Sequence, residues 1–217
     1  MQPVKAFLFD LDGVIVDTAI YHYQAWRRMA NELGFDISEE FNEGLKGVSR
    51  MDSLELILAH GNVQLPEEKK QELATLKNQW YLELVSRMTP TDILPGVPAF
   101  FAQVREAGLK TALGSVSKNA GLILERIGMT GQFDAIIDGN KIAKGKPDPE
   151  VFLKGAEELG VQPAECVVFE DAVAGIESAL RAGSFAVGLG SPDVLTKASM
   201  VFPSLENVTV SQILARL

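Results

Sequence analysis

The spacing of apolar and polar positions changes several times along this 217-residue chain, and each change marks an element. Val4 to Phe9 is almost wholly apolar, as a strand buried on both faces is. The period then lengthens to that of a helix. Ile20, Tyr23, Trp26, Met29, Ala30 and Leu33 mark one helical face, which Asp17 or Thr18 caps and Gly34 stops. Short polar helical segments follow through Glu43, and another helix runs from Met51 to His60, ended by Gly61. Pro66 suits the first turn of a long helix, with Glu67 and Glu68 at its positive end. Leu73, Leu76, Trp80, Leu84 and Met88 form its apolar stripe.

Pro90, Pro95, Gly96 and Pro98 mark a return to alternation. Strands are predicted at Leu109–Leu113, Ala135–Ile137, Cys166–Phe169 and Phe185–Leu189. Helices are predicted at Ala120–Ile127, Pro149–Leu159, Val173–Ala182 and Val210–Leu217. This alternation predicts an α/β fold with a doubly wound parallel sheet. Residues 1–17 and 90–217 form the expected α/β core domain. Residues 18–89 form a small all-helical domain inserted after the first strand.

Composition narrows the function. The formal charge of −9 argues against nucleic acid or an anionic membrane surface as partner. No apolar run approaches the roughly 20 residues of a membrane span, and the N-terminus lacks a signal peptide's pattern. The single cysteine, Cys166, excludes an intrachain disulfide and points to a reducing compartment; it opens a buried-strand run. A soluble, cytoplasmic, monomeric protein is expected. In so acidic a chain, any phosphate site must concentrate cations locally, so individual Lys and Arg positions carry information.

The candidate chemistry lies at strand ends. Asp10 and Asp12 end the first apolar run, two residues apart, so an extended backbone sends both carboxylates to one side. Gly13 then allows a sharp turn. Carboxylates at the C-terminal end of a parallel strand sit where open α/β sheets bind ligands. Glu170 and Asp171 end Val167-Val168-Phe169 in the same way, and hard oxygen donors from two strand ends suit Mg²⁺. In Gly114-Ser115-Val116-Ser117-Lys118-Asn119, hydroxyls and backbone N–H groups before a helix either cradle phosphate or cap the helix. Lys146 lies in Lys144-Gly145-Lys146-Pro147-Asp148-Pro149, where Lys144 reads as a solvated charge.

Asp10, Asp12, Gly13, Asp17 and Thr18 match the opening DxDGxxxDT pattern of the haloacid dehalogenase superfamily, and the chain resembles it throughout. The resemblance implies that Asp10 is the nucleophile and becomes a phospho-aspartate. It implies that Asp12 is a general acid/base and that Ser115 and Lys146 hold the transferring phosphoryl group. Asp10, Glu170, Asp171 and the Asp12 backbone carbonyl would bind Mg²⁺. The metal neutralises repulsion between a carboxylate nucleophile and an anionic phosphate.

The helical insert resembles the β-phosphoglucomutase family within that superfamily. The likeness rests on Asp17-Thr18-Ala19, His22, Trp26, Phe41-Asn42-Glu43, the segment Leu45 to Arg50, Ser53, Lys77-Asn78 and the Ser115–Asn119 segment. That family interconverts β-glucose 1-phosphate and glucose 6-phosphate through β-glucose 1,6-bisphosphate. The resemblance implies a substrate site of Thr18, His22, Trp26, Gly47, Arg50, Ser53, Lys77, Asn78, Val116, Ser117, Lys118 and Asn119. The residues agree in kind. Arg50 is a planar cation fit for bidentate phosphate binding. Lys77 falls inside the apolar stripe of its helix, where it either snorkels to solvent or points into a cleft between the two domains. His22 reads as a packed helix histidine or as a hinge group near Asp12. Asn78 reads as a surface amide or a sugar ligand, and Trp26 and Trp80 as packing residues. Three positions depart from the family: Gly114 and Val116 replace alanines flanking Ser115, and Val173 replaces a common Gln. A sugar-phosphate phosphatase on the same scaffold, or an inactive sugar-phosphate sensor, are the rival readings. The intact Asp10 and Asp12 argue against the sensor.

Overall fold

The computed structural model describes residues 3–217; residues 1 and 2, the start of the expected core domain, lie outside the described residues. β1 (Ala6–Phe9) is completely buried and runs through the centre of a six-stranded sheet. Beside it lie β2 (Lys110–Gly114) and β4 (Cys166–Glu170), and β3 (Ala135–Ile137), β5 (Phe185–Leu189) and β6 (Met200–Phe202) complete the sheet. The strand order is β3-β2-β1-β4-β5-β6, and every pair is parallel. The order reverses at β1 and β4, where such a sheet opens a crevice at its carboxyl end.

Alternation along β1 separates two apolar layers. Phe7 and Phe9 face one layer, closed by α5 (Val97–Glu106), α6 (Ala120–Arg126) and α9 (Val210–Leu214). Ala6 and Leu8 face the other, closed by α7 (Glu150–Leu159) and α8 (Val173–Ala182). Phe9 anchors a ring cluster, with its centroid 4.6 Å from Phe101 and 4.8 Å from Phe169. The doubly wound parallel sheet expected from the sequence is present.

Between β1 and α5 the chain builds α1 (Ala19–Glu32), α2 (Glu39–Glu43), α3 (Arg50–His60) and α4 (Glu67–Val85). Its entry and exit are adjacent: Val16 bridges Ile93, and the Leu94 N–H donates to the Ile15 carbonyl at 2.9 Å. No helix among the described residues is long and apolar enough to cross a membrane. Cys166 is buried in β4.

Several expectations need correction. α5 and β6 were not anticipated. Gly96 and Pro98 read as loop punctuation, yet proline in a first helical turn starts α5. β6 is a three-residue strand, too short to show a period. Ile20 belongs to solvent, and Trp26, Met29 and Ala30 form the buried face of α1 with Ala25. On α4 the buried stripe is Ala74, Lys77, Tyr81 and Val85 with Trp80, one residue rotated from the leucine stripe. The leucines Leu73, Leu76 and Leu84 sit half-buried at its edges.

Phe9→Ala should cost about 3–5 kcal/mol of unfolding free energy, the usual scale for a truncated core aromatic. Denaturant titration checks this; a loss under 1 kcal/mol would show that the ring cluster is not the keystone of this layer.

Candidate functional site

The strand ends bring the acids together. The Asp10 N–H donates to the Phe169 carbonyl at 3.0 Å, so the chain is still in sheet register when it reaches its first acid. The turn that follows depends on Gly13. Its φ is +78°, and a Cβ there would fall 2.1 Å from Asp171 Oδ2. Oxygens of Asp10, Glu170 and Asp171 lie within 4.8 Å of one another.

Lys146 makes this crowding tolerable. Its Nζ, fully buried, donates to Asp10 Oδ1 at 2.6 Å and to Glu170 Oε1 at 2.5 Å. Burial alone pulls the ammonium's pKa down, but the two carboxylate charges outweigh it and hold Lys146 above the ordinary lysine value. The other Glu170 oxygen accepts from the Ala172 N–H at 3.1 Å. Gly175 leaves room for that carboxylate, since a Cβ there would lie 1.9 Å from it. Burial, and then the charge of Asp10, push Asp171 up to about 7. Burial raises Glu170 to about 8 despite Lys146. Three hard carboxylates held this close, with too little cationic charge to ionise them fully, fit a divalent metal ion.

Asp12 is set apart from that cluster. Its carboxylate accepts from the Thr18 hydroxyl, which in turn accepts from Tyr81 Oη at 3.1 Å. Burial and the Asp10 charge raise Asp12 to about 7, so it holds or releases a proton near neutrality, as a general acid/base must.

Above the acids the helical segment closes a cleft of about 490 Å³. Cations dominate its upper wall. Lys77 is buried, 2.8 Å from His22 Nδ1 and 4.1 Å from the Trp26 ring centroid, and His22 stacks on Tyr81 at 4.1 Å. Burial holds both Lys77 and His22 far below their ordinary values, helped by neighbouring positive charge. Arg50, at the start of α3, is half-buried and lines the cleft. Burial lowers its pKa, and no carboxylate offsets this. Two contacts tie the helical segment to the sheet side. Asn119 Nδ2 donates to Asn78 Oδ1 at 2.9 Å, and Lys46 Nζ lies 3.4 Å from Asp171 Oδ2.

Of the residues singled out in the sequence, Asp10, Asp12, His22, Trp26, Gly47, Arg50, Ser53 and Lys77 line this one cleft. Ser115, Val116, Ser117, Lys118, Asn119 and Asp171 line it too. Thr18, Asn78, Lys146 and Glu170 stand behind the wall, hydrogen-bonded to Asp12, Asn119, Asp10 and Lys146 respectively. Lys77 does not snorkel to solvent, and Asn78 is no free surface amide. Ser115 and Ser117 each accept a backbone N–H two residues on, at 3.2 Å. Val116 borders the cleft, whereas Val173 is exposed and has no part in the wall. Lys144 is exposed, as expected. Tyr81 and Lys46 were missed as site residues. Tyr81 follows Lys77 by four positions, one helical turn on the same face, which was the available signal.

Comparison with known proteins identifies the family. The family of haloacid dehalogenase-like hydrolases matches residues 4–183. This chain belongs to that family. Within the family, it is 43% identical over 209 residues to the β-phosphoglucomutase of Bacillus subtilis (strain 168), covering 95% of this chain and 92% of that one. It is 30% identical to the phosphorylated carbohydrates phosphatase of Thermotoga maritima, covering 83% and 82% of the two chains. The crystal structure of β-phosphoglucomutase from Clostridium difficile superposes with a TM-score of 0.95 at 44% identity, covering 98% of this chain and 96% of that one.

Protons and metal should compete at the acids. Carboxylates raised to about 7 or 8 are protonated below those values and must lose protons to bind a cation. His22 and Lys77, whose pKa values burial lowers, pull stability with pH the other way, so the metal-dependent difference is the clean readout. Mg²⁺ should raise the melting temperature more at about pH 8.5 than at about pH 5.5. An equal rise at both would contradict metal binding at this cluster.

Proposed function

We propose that this chain is a phosphomutase that interconverts β-D-glucose 1-phosphate and glucose 6-phosphate through phospho-Asp10 and β-glucose 1,6-bisphosphate. Residues 18–89 would act as a cap domain over a core of residues 1–17 and 90–217. The observation that carries this reading is Arg50, a guanidinium half-buried in the cleft with no carboxylate among the described residues to neutralise it, on the wall that faces the acids. A mutase must hold a second phosphate away from the nucleophile; a simple phosphatase need not.

In this reading Asp10 attacks the phosphoryl group, and Lys146 holds its carboxylate in place from below. Asp12 protonates the leaving oxygen and later takes the proton of the incoming sugar hydroxyl. Thr18 fixes the carboxylate that does this, and Tyr81 fixes Thr18. Ser115 with Lys146 would hold the transferring group, and Arg50 with Ser117, Lys118 and Asn119 the distal phosphate. Asp10, Glu170, Asp171 and the Asp12 backbone carbonyl would hold Mg²⁺, which supplies charge neutralisation at the phosphoryl oxygens when bound. His22, Trp26, Gly47, Ser53 and Lys77 would border the sugar. The bisphosphate has to turn over between half-reactions, so the cap must open and close. A phosphatase reading has one observation in its favour. Relatives that share the scaffold at 30–31% identity are named as phosphatases of phosphorylated carbohydrates and hexitols.

Arg50 separates the two. Arg50→Lys keeps the charge but loses the planar fork. Both Arg50→Lys and Arg50→Ala should lower mutase turnover by at least about tenfold, or roughly 1.4 kcal/mol. Consumption of acetyl phosphate, which has no distal phosphate, should fall much less. Equal losses in both reactions would remove the argument for a second phosphate site.

A further inference from the structure

Two lysines of this chain are buried equally well in opposite surroundings. Lys146 has two carboxylates on its ammonium. Lys77 has none within ion-pairing distance among the described residues. Its neighbours are the His22 Nδ1 nitrogen at 2.8 Å and two aromatic faces, Trp26 at 4.1 Å and Tyr81 at 5.0 Å. Arg50 adds a second positive charge nearby, which disfavours a charged Lys77, and Asp12 offsets this only in part. An amine that is desolvated and set beside another cation is the arrangement that makes lysine a nucleophile towards carbonyl compounds. The other lysines on this cleft differ. Lys46 is paired with Glu43 at 2.9 Å and Asp171 at 3.4 Å, Lys144 is exposed and lies 3.6 Å from Asp148 Oδ2, and Lys118 is exposed.

We propose that Lys77 is a Schiff-base site, at which a phosphate-bearing aldehyde held in the cleft forms a reversible covalent adduct that blocks the cleft. The inference rests on the reading of this cleft as phosphate-binding, because the phosphate supplies the anchor. The anchor is Arg50, and the aldehyde carbon then meets the Lys77 amine. The nitrogen lone pair forms the N–C bond while the carbonyl π pair moves to oxygen. The proton shed by nitrogen passes to that oxygen, with His22 Nδ1 placed to carry it. Loss of water then leaves the imine. Amine and aldehyde give imine and water, with no oxidant or reductant involved.

The test uses the full-length protein with pyridoxal 5′-phosphate as probe, borohydride to trap the imine, and peptide mass spectrometry to locate it. Lys77 should be the first lysine modified. Pyridoxal, which lacks the phosphate, should react at least about tenfold more slowly, and inorganic phosphate should protect. Arg50→Ala should abolish the preference for the phosphorylated probe, and Lys77→Arg should leave the cleft unlabelled. Modification of Lys118 or Lys144 with Lys77 untouched would overturn the proposal, as would equal rates for the two probes at Lys77. The readout involves no turnover, so its failure is distinguishable from failure of the mutase reading.

Discussion

A buried ammonium between two carboxylates is the interaction on which the rest of the site depends. Lys146 binds Asp10 from the end of β1 and Glu170 from the end of β4, the two strands between which the sheet order reverses. Parallel pairing in register sets those strand ends side by side, and side by side their acids repel. One lysine cannot neutralise three carboxylates, and burial first, then the charge of Asp10, pushes both Glu170 and Asp171 up. The imbalance is what makes the cluster receptive to a divalent cation. Removing the ammonium would leave buried charge without compensation, a change that typically costs about 3–5 kcal/mol.

The opposite wall inverts this logic. There the excess is positive, in a chain whose net charge is −9. Lys77, His22 and Arg50 crowd one cleft, with no carboxylate paired to them among the described residues. Burial lowers the pKa of all three, mutual repulsion adds to this at Lys77 and His22, and an anionic ligand would relieve it. The cleft thus has an acidic floor suited to a metal and a cationic roof suited to phosphate. Thr18 and Tyr81 connect the two, because the hydroxyl that orients Asp12 is itself held by a side chain of α4. Seating of the helical segment and alignment of Asp12 are therefore one event in this structure.

Much of this was legible in the sequence because strand ends announce themselves. Asp10, Glu170 and Asp171 each interrupt an apolar run that no soluble loop would contain, and Lys146 sits in a distinctive Gly-Lys-Pro-Asp-Pro setting. The doubly wound sheet followed from alternation alone. Where the reading failed, tertiary packing overrode local pattern. α4 buries Ala74, Lys77 and Tyr81 in preference to its leucines, because the aromatic and cationic wall of the cleft, not a leucine seam, is what that helix supplies. α5 was hidden behind a proline and a glycine that elsewhere mark loops, and β6 was too short to register. Tyr81 and Lys46 find partners distant in the sequence, Thr18 and Asp171, which only the folded chain brings to them. Val173, a departure from the family pattern, is exposed and away from the cleft, so Val116 alone carries the question of sugar fit.

The central claim is that a phosphoryl group leaves Asp10 for a sugar hydroxyl and not for water. The most direct measurement supplies β-glucose 1-phosphate with Mg²⁺ and a catalytic amount of glucose 1,6-bisphosphate, then quantifies glucose 6-phosphate against inorganic phosphate. The account predicts glucose 6-phosphate in large excess over inorganic phosphate. Inorganic phosphate as the main product would contradict it.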